Sequence, residues 1–384
     1  KSSAASDVYK RQNSPFAKQL REVCEDSYKR LLFPSLERQI RAQLTERADA
    51  QAIGVFSENL KNLLMQPPVK GAVTMGFDPA YRTGCKIAVV DPTGKVLDTT
   101  VVYPTPPANR TEEAKKMLSQ LIQKYGVTVI AIGNGTASKE SEIFVAQLLG
   151  ELNPKLQHKV SYMVVSEAGA SVYSASELGA KEFPQFDVSL RSAVSIARRL
   201  QDPLAELVKI DPKSIGVGQY QHDMPAKEMD AALGGVVEDC VNRVGVDLNT
   251  ASQSLLSYVA GINQTVAKNI VSYREESGSF TKRSQLMKVP KLGKKAFEQC
   301  AGFLRVPESE EPLDRTGVHP ESYPAAQKLL TLCGYQTQDL LEGKLEQLAQ
   351  RVAQMGQAQV AQRIGVGEPT LRDMVAELSK PGRD

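Results

Sequence analysis

Residues 73–91, VTMGFDPAYRTGCKIAVVD, contain two apolar runs joined by a turn that begins with Pro79. The first run ends at Asp78 and the second ends at Asp91. Apolar runs on either side of a Pro- and Gly-bearing turn predict a β-hairpin. Packing does not require a carboxylate where the first strand ends. Asp78 therefore has two interpretations, a metal ligand or the opening residue of a turn.

The pattern around this hairpin predicts a mixed sheet flanked by helices. Further strand-like runs lie at 96–103, 127–133 and 160–165, and helical patterns lie at 111–125, 138–149 and 189–201. Three consecutive strands followed by alternating helices and strands favour an antiparallel meander joined to parallel βα units. The chain before QPPVKG (66–71) is helical in pattern, and its two prolines end that helix.

These changes in pattern divide the chain. We expect, in order, a helical segment over 13–71, a mixed-sheet domain over 72–210, a connecting helical region over 211–250, a basic helical block over 251–306 and a helical region over 307–384. The last region has no chemical motif. The leader KSSAASDVYKRQ (1–12) has no apolar periodicity and resembles translated cloning sequence, so we exclude it from the fold argument.

The composition excludes several classes of protein. The chain has 384 residues, of which 41% are hydrophobic, and a formal net charge of +3. This allows two or three domains. Five cysteines and three histidines are dispersed without a C-x-x-C pair. We therefore expect reduced thiols and a cytoplasmic location rather than a disulfide framework or a structural zinc site. There is no apolar run of about 18 residues, so we predict no membrane span.

The basic block at 251–306 carries nine lysines and arginines against three glutamates. Within it, YVAGINQTVAKNIVSYREE (258–276) and LMKVPKLGKKAFEQCAGF (286–303) share one plan. Each has an apolar run, a tight Gly-bearing turn and a helix. This repetition is typical of tandem helix-hairpin-helix motifs.

Such turns are suited to binding phosphate. Gly261 and Gly293 would let the backbone approach a phosphate closely, and the N–H groups at the following helix starts would hold it. Asn263 stands where a second glycine is usual, and we expect it to adopt the left-handed conformation. Lysines would add affinity that does not depend on base sequence. The predicted nucleic-acid contacts are Gly261, Asn263, Lys268, Lys291, Gly293, Lys294 and Lys295. The alternative is a pair of helical hairpins with solvated lysines.

The acidic residues permit a different function. A sheet of this order with Asp78 at its first strand end resembles the RNase H-like arrangement, in which three or four acids hold divalent metals for phosphodiester cleavage. The candidate ligands are Asp78, then Glu140 or Glu142 after the fourth strand, then Asp202 after a late helix, with Glu167 in reserve. Asp78, Glu140 and Asp202 also have structural interpretations, as a turn, helix-start and helix-stop residue respectively. We expect no cofactor, and Mg²⁺ or Mn²⁺ only if the protein is a nuclease.

Longer runs resemble the bacterial Tex proteins. These include FDPAYRTGCKIAVVD (77–91), AIGNGTASKESE (131–142), SEAGASVYSASELGAKEFP (166–184) and FTKRSQLMKVPKLGKKAFEQCAGFLRV (280–306), and the resemblance extends over 13–384. It implies an internal fragment of an RNA-binding transcription accessory factor. The family has an N-terminal helix-turn-helix part, a YqgF-type RNase H-like domain, tandem helix-hairpin-helix motifs and a C-terminal OB-fold RNA-binding domain.

The resemblance also bears on activity. It implies binding of nucleic acid without marked sequence specificity and a YqgF-type domain that lacks the full nuclease site. Tex proteins commonly have glycine where this chain has Ala80, and a positive φ there would cost about 1 kcal/mol. We therefore expect a non-catalytic binder of RNA or DNA that works with the transcription machinery. The alternatives are a metal-dependent nuclease and a scaffold whose basic helices bind an acidic protein.

Overall fold

The structure, a computed structural model, describes residues 15–379, so the expected leader at 1–12 lies outside the described residues. The described chain opens with α1 (Ala17–Ser27), a π-helical turn (Tyr28–Leu32) and the long helix α2 (Phe33–Leu64). Only the C-terminal half of α2 is buried, through Ile53, Phe56, Leu60 and Leu64. The helical pattern predicted before QPPVKG is therefore present, and the last turns of α2 pack against the rest of the molecule.

A five-stranded sheet follows, with strand order β3-β2-β1-β4-β5. Strands β1, β2 and β3 form an antiparallel meander, whereas β4 lies parallel to β1 and β5 lies parallel to β4. The predicted mixed topology is confirmed. The strands are β1 (Thr74–Asp78), β2 (Cys85–Val90), β3 (Val96–Val102), β4 (Val129–Gly133) and β5 (Ser161–Val165).

Helices cover both faces of this sheet. Between the strands lie α3 (Thr111–Tyr125) and α4 (Ser138–Leu152), and after β5 come α5 (Ala170–Ala175), α6 (Glu177–Glu182), α7 (Val188–Gln201) and α8 (Pro203–Leu207). The side chain of Asp187 caps α7 by accepting from the backbone N–H of Leu190 at 2.8 Å. Helix α7 crosses β1 so closely that a Cβ on Gly76 would lie 2.1 Å from the carbonyl oxygen of Ala193.

The second half of the chain is helical. It contains α9 (Ala226–Val244), α10 (Gln253–Leu256), α11 (Gln264–Ser277) and α12 (Lys294–Cys300), with β6 (Val246–Asp247) paired to β7 (Leu304–Arg305). The tail consists of α13 (Tyr323–Leu332), α14 (Thr337–Leu341), α15 (Leu348–Met355), α16 (Gln357–Ile364) and α17 (Glu368–Leu378). The predicted class, α/β followed by all-α with tandem hairpins and a helical tail, is confirmed.

Three large buried apolar clusters organise these elements, and two smaller ones lie between the sheet and α7. The sheet core lies between the sheet and helices α3 and α4. The hairpin core joins the end of α2 to α9 and to both hairpin units. The tail core lies among α13, α15, α16 and α17. Over residues 15–379, no helix combines the length and the apolar character needed to cross a membrane.

Candidate nucleic-acid interface and the carboxylate pair

The first hairpin turn, V-A-G-I-N (259–263), differs from its expected conformation at one residue. Gly261 has φ +81°, so it occupies the left-handed position. Asn263 is extended, with φ −90°, and its side chain caps α11 by accepting from the N–H of Val266 at 2.9 Å. The expected left-handed Asn263 is wrong, because the turn reverses at Gly261 and the following residue is the helix cap.

This first turn packs against protein. A Cβ added to Gly261 would lie 2.7 Å from Cβ of Gln299 and 3.2 Å from the carbonyl oxygen of Ala296, both on α12. The close backbone approach at Gly261 is therefore to the second hairpin unit. On the neighbouring residue, the N–H of Ala260 donates to the side chain of Asn242 on α9 at 3.1 Å.

The second turn, V-P-K-L-G (289–293), is open. Its left-handed residue is Lys291, with φ +65°, and Lys291 stands where the first turn has Gly261. Gly293 is extended at the start of α12, and a Cβ built on it meets no described atom within 4 Å. Asn269 of α11 donates to the carbonyl of Pro290 at 2.8 Å, which ties the second turn to the first unit.

The cations of the basic block fall into two groups. Three arginines are internal: Arg274 donates to the carbonyls of Leu248 and Ala251, Arg305 donates to that of Gly302, and Arg283 is fully buried. The lysines are exposed to solvent, and they are Lys268, Lys282, Lys288, Lys291, Lys294 and Lys295. Burial assigns the arginines to the fold, so only the lysines face solvent as candidate phosphate contacts.

The exposed charge is concentrated on the second unit. Its helix α12 begins with Lys294 and Lys295, whereas the equivalent residues of the first unit are Gln264 and Thr265. Lys294 is 84% exposed and lies 3.8 Å from Glu298. An exposed pair of this kind contributes little to stability, so the ammonium group can contact an anionic ligand at small cost.

A second candidate site lies at the carboxyl edge of the sheet, where Asp78 and Glu167 lie together. The carboxylate of Glu167 lies directly above the turn after β4, because a Cβ on Gly135 would come 1.5 Å from its Oε1. The N–H of Glu167 donates to the side chain of Asn134 at 3.0 Å. Burial raises the pKa of Asp78 to about 6; a hydrogen bond from Ser192 opposes the increase and the charge of Glu167 adds to it.

An ammonium group also belongs to this site. Lys86 is 8% exposed, and its Nζ donates to the carbonyls of Thr83 at 2.9 Å and Gly84 at 2.8 Å. Its charge offsets part of the increase in the pKa of Asp78. Lys86 on β2 pairs with Asp78 across the antiparallel ladder, which brings the two side chains to the same edge. Sequence reasoning missed Lys86, although its position at the start of an apolar strand was a usable signal.

The remaining predicted acids do not join Asp78. Glu140 accepts from the hydroxyl of Tyr81 at 3.1 Å on the exposed surface. Asp202 caps α8 by accepting from the N–H of Ala205 at 3.0 Å. Its neighbour Gln201 donates to the carbonyl of Ala72, which precedes β1, so Asp202 lies at the opposite end of that strand from Asp78.

The donor set does not fit the two-metal centre that an RNase H-like sheet implies. Such a centre needs several carboxylates around adjacent cations. Here Asp78 and Glu167 are accompanied by the hydroxyl of Ser192 and the charge of Lys86. Among residues 15–379, no three His, Cys, Asp or Glu side chains are grouped to hold a metal.

Ala80, in the turn after Asp78, is not among the residues with positive φ, so the backbone strain considered for this turn is absent.

Comparisons with known proteins agree with this architecture. Residues 72–201 match the Tex protein YqgF-like domain, residues 241–305 match the helix-hairpin-helix motif, and residues 311–384 match the HHH domain. The last match falls on the tail, where sequence reasoning found no motif.

Relatives extend the similarity to almost the whole chain. The Transcriptional accessory protein Tex of Neisseria gonorrhoeae is 52% identical over 368 residues, which cover 96% of this chain and 47% of the relative. Protein tex of Bordetella pertussis is 51% identical over 374 residues, which cover 97% of this chain and 46% of the relative. The S1 RNA-binding domain-containing protein 1 of Homo sapiens is 40% identical over 405 residues, with 93% and 40% covered.

The chain spans about half the length of the curated relatives it matches. The matched part of this chain nevertheless includes the sheet, the hairpins and the tail. The sheet order, the paired hairpins and these relatives together show that the chain belongs to the Tex family.

Proposed function

We propose that this chain is a nucleic-acid-binding part of a transcription accessory protein, and that it binds RNA or DNA through the phosphate backbone without reading sequence. The observation that carries the proposal is the cluster of exposed lysines on the second hairpin unit, Lys288, Lys291, Lys294 and Lys295. Lysine ammonium groups bind phosphates as point charges and carry no information about bases. The names of two bacterial relatives, which describe transcriptional accessory or Tex proteins, support the cellular context.

In this proposal the RNase H-like domain is a non-catalytic platform. Lys86 supplies a positive charge beside Asp78 and Ser192 occupies one of its hydrogen-bonding positions. A carboxylate pair with these neighbours can exchange a proton, but it lacks the ligands for two metals. The transcription machinery is the partner that we propose for the assembled protein.

The test is binding of labelled single-stranded RNA and duplex DNA by fluorescence anisotropy across a salt series. The double variant Lys294→Glu/Lys295→Glu should weaken binding about tenfold or more on every sequence. It should also reduce the slope of log affinity against log salt by about 1.4 for single-stranded RNA and about 1.8 for duplex DNA, because two phosphate contacts are lost. Unchanged affinity at low salt would place the site elsewhere.

The matched control is Lys155→Glu/Lys159→Glu, which makes the same charge change at exposed lysines of the sheet domain. It should have a much smaller effect on both affinity and slope. Incubation of the wild-type chain with the same oligonucleotides and Mg²⁺ or Mn²⁺ should leave them intact. Cleavage that Asp78→Asn abolishes would contradict the non-catalytic platform.

A further inference from the structure

A cleft of about 380 Å³ lies beside the second hairpin, at the seam between the hairpin core and the tail core. Phe297 of α12 forms part of one wall, and Pro320 and Tyr323 of the tail form part of the other. All three side chains are half-buried, so each presents apolar surface to the cleft. Exposed aromatic and proline surfaces of this kind are suited to stacking a flat ligand.

The wall of the cleft also includes a buried arginine. Arg283 lines it and is fully buried, and its Nε has no hydrogen-bond partner within residues 15–379. Asp314 forms an ion pair with Arg283, but its Oδ1 lies 4.0 Å from Nε. That oxygen accepts a hydrogen bond from the hydroxyl of Tyr323. Because Nε is buried, a ligand in the cleft does not reach it, and Arg283 supports the cleft wall.

The cleft is also lined by hydrogen-bond acceptors. The carboxylates of Glu310 and Glu311 line the same cleft. Two carboxylates disfavour a phosphate inside the cleft, and they favour a ligand that carries amino or imino N–H groups. Lys282 also lines the cleft, and Lys294 precedes Phe297 by one helical turn, so cations suited to a phosphate lie next to the stacking surface.

We propose that the cleft binds one unpaired nucleobase of a strand whose phosphates lie on the lysines of the second hairpin unit. The base stacks against Phe297, and its N–H edge donates to the glutamates. This inference rests on the proposed function and gives it a substrate class, single-stranded nucleic acid. A base in a duplex would first have to leave its stack, which opposes binding of intact duplex in this mode.

The experiment compares oligonucleotides with and without bases. A single-stranded oligonucleotide and an abasic strand of equal length have the same phosphates, so only the first can use the cleft. Phe297→Leu should weaken binding of the first about tenfold, within the range measured for loss of base stacking, and leave the abasic strand unchanged. Ser284→Trp, at an exposed residue of the cleft lining, should have the same effect by filling the cleft.

A spectroscopic readout tests the stacking directly. An oligonucleotide that carries 2-aminopurine should change its emission on binding the wild-type chain, and much less on binding Ser284→Trp. Circular dichroism melting of both variants identifies any loss that comes from unfolding.

The outcomes separate the two proposals. If both cleft variants bind the base-bearing strand like the wild type while Lys294→Glu/Lys295→Glu weakens it, the cleft proposal fails and the proposed function stands. An abasic strand that binds as well as the base-bearing strand would also overturn the cleft. If the wild type binds neither strand at low salt, both proposals fail.

Discussion

Asp78 shows how strongly a fold can change the chemistry of a single residue. Burial raises the pKa of its carboxyl from 3.8 to about 6, because the desolvated carboxylate is disfavoured more than Ser192 and Lys86 favour it. The folded chain therefore holds this proton more tightly than the unfolded chain does. The contribution of Asp78 to stability is unfavourable above about pH 6, and the penalty disappears as the pH falls toward 4.

Asp78→Asn removes the charge while keeping an oxygen that can accept from Ser192. We expect it to raise the free energy of unfolding at pH 8 by up to about 3 kcal/mol, and by progressively less toward pH 5. Urea denaturation followed by circular dichroism at several pH values measures this difference. A loss of stability at pH 8 would show that Lys86 compensates the carboxylate fully.

Asp91, in the same sheet domain, has a pKa that shifts in the opposite direction from that of Asp78. Partial burial acts to raise its pKa, but hydrogen bonds from Thr93 and Lys95 outweigh this and lower it. Its charged form is therefore stabilising at neutral pH, and the contribution is lost as the pH falls through the lowered pKa. Asp91→Asn should reduce stability at pH 8, and this sign should distinguish it from Asp78→Asn in the same titration.

At the scale of elements, the two hairpin turns show why a shared plan can conceal different conformations. The first turn places glycine at its left-handed residue, whereas the second places Lys291 there. A side chain in that conformation is strained, because its Cβ approaches the following carbonyl. The second turn thus retains a charged side chain at a cost in stability, and this cost fits a residue that contacts a ligand.

Lys291→Gly should separate the two effects. Relief of the left-handed strain is expected to exceed the extra entropy of glycine in the unfolded chain, for a net gain of about 0.5–1 kcal/mol in unfolding free energy. Affinity for single-stranded RNA should fall at the same time, because one exposed ammonium group is removed. Denaturation measures the change in unfolding free energy, and fluorescence anisotropy measures the change in affinity.

Lys288→Gly is the comparison for that variant, since Lys288 is also exposed but is not among the residues with positive φ. It should weaken binding in a similar way without any gain in stability. If Lys291→Gly lowers stability as much as Lys288→Gly does, the left-handed residue is not strained.

Sequence patterns predicted whole elements better than the contacts between them. The strand at 85–90 and the helix at 111–125 match the structure because a short apolar run and a period-3.6 pattern, each bounded by turn residues, determine them locally. The conformation of Asn263 was missed because residue type alone does not locate the reversal of a turn. Ser192 was missed as a partner of Asp78 because the two residues lie 114 positions apart and meet only through the packing of α7 on β1.

At the scale of the whole molecule, one buried arginine links the hairpin core to the tail. Arg283 follows the first hairpin unit, and its guanidinium donates to the carbonyls of Asp314 at 2.8 Å, Thr316 at 2.6 Å and Val318 at 2.8 Å. Its own N–H donates to the carboxylate of Asp314 at 2.8 Å. The segment that connects the hairpins to the tail is therefore fixed by hydrogen bonds to one side chain.

Arg283→Met tests this link. The substitution keeps the backbone bond to Asp314 but removes every guanidinium donor. The carbonyls of Asp314, Thr316 and Val318 therefore lose that donor, and the buried carboxylate of Asp314 loses its ion pair with Arg283. We expect a loss of about 3–5 kcal/mol in the free energy of unfolding. Limited proteolysis should give new cleavage between residues 306 and 318, because that segment is no longer held.

Arg315→Met is the matched control. Arg315 is exposed and donates to the carbonyl of Ser309 at 3.2 Å, so its loss should leave both the unfolding free energy and the proteolysis nearly unchanged. Equal proteolysis of the two variants would mean that apolar contacts, and not Arg283, hold the tail against the hairpins.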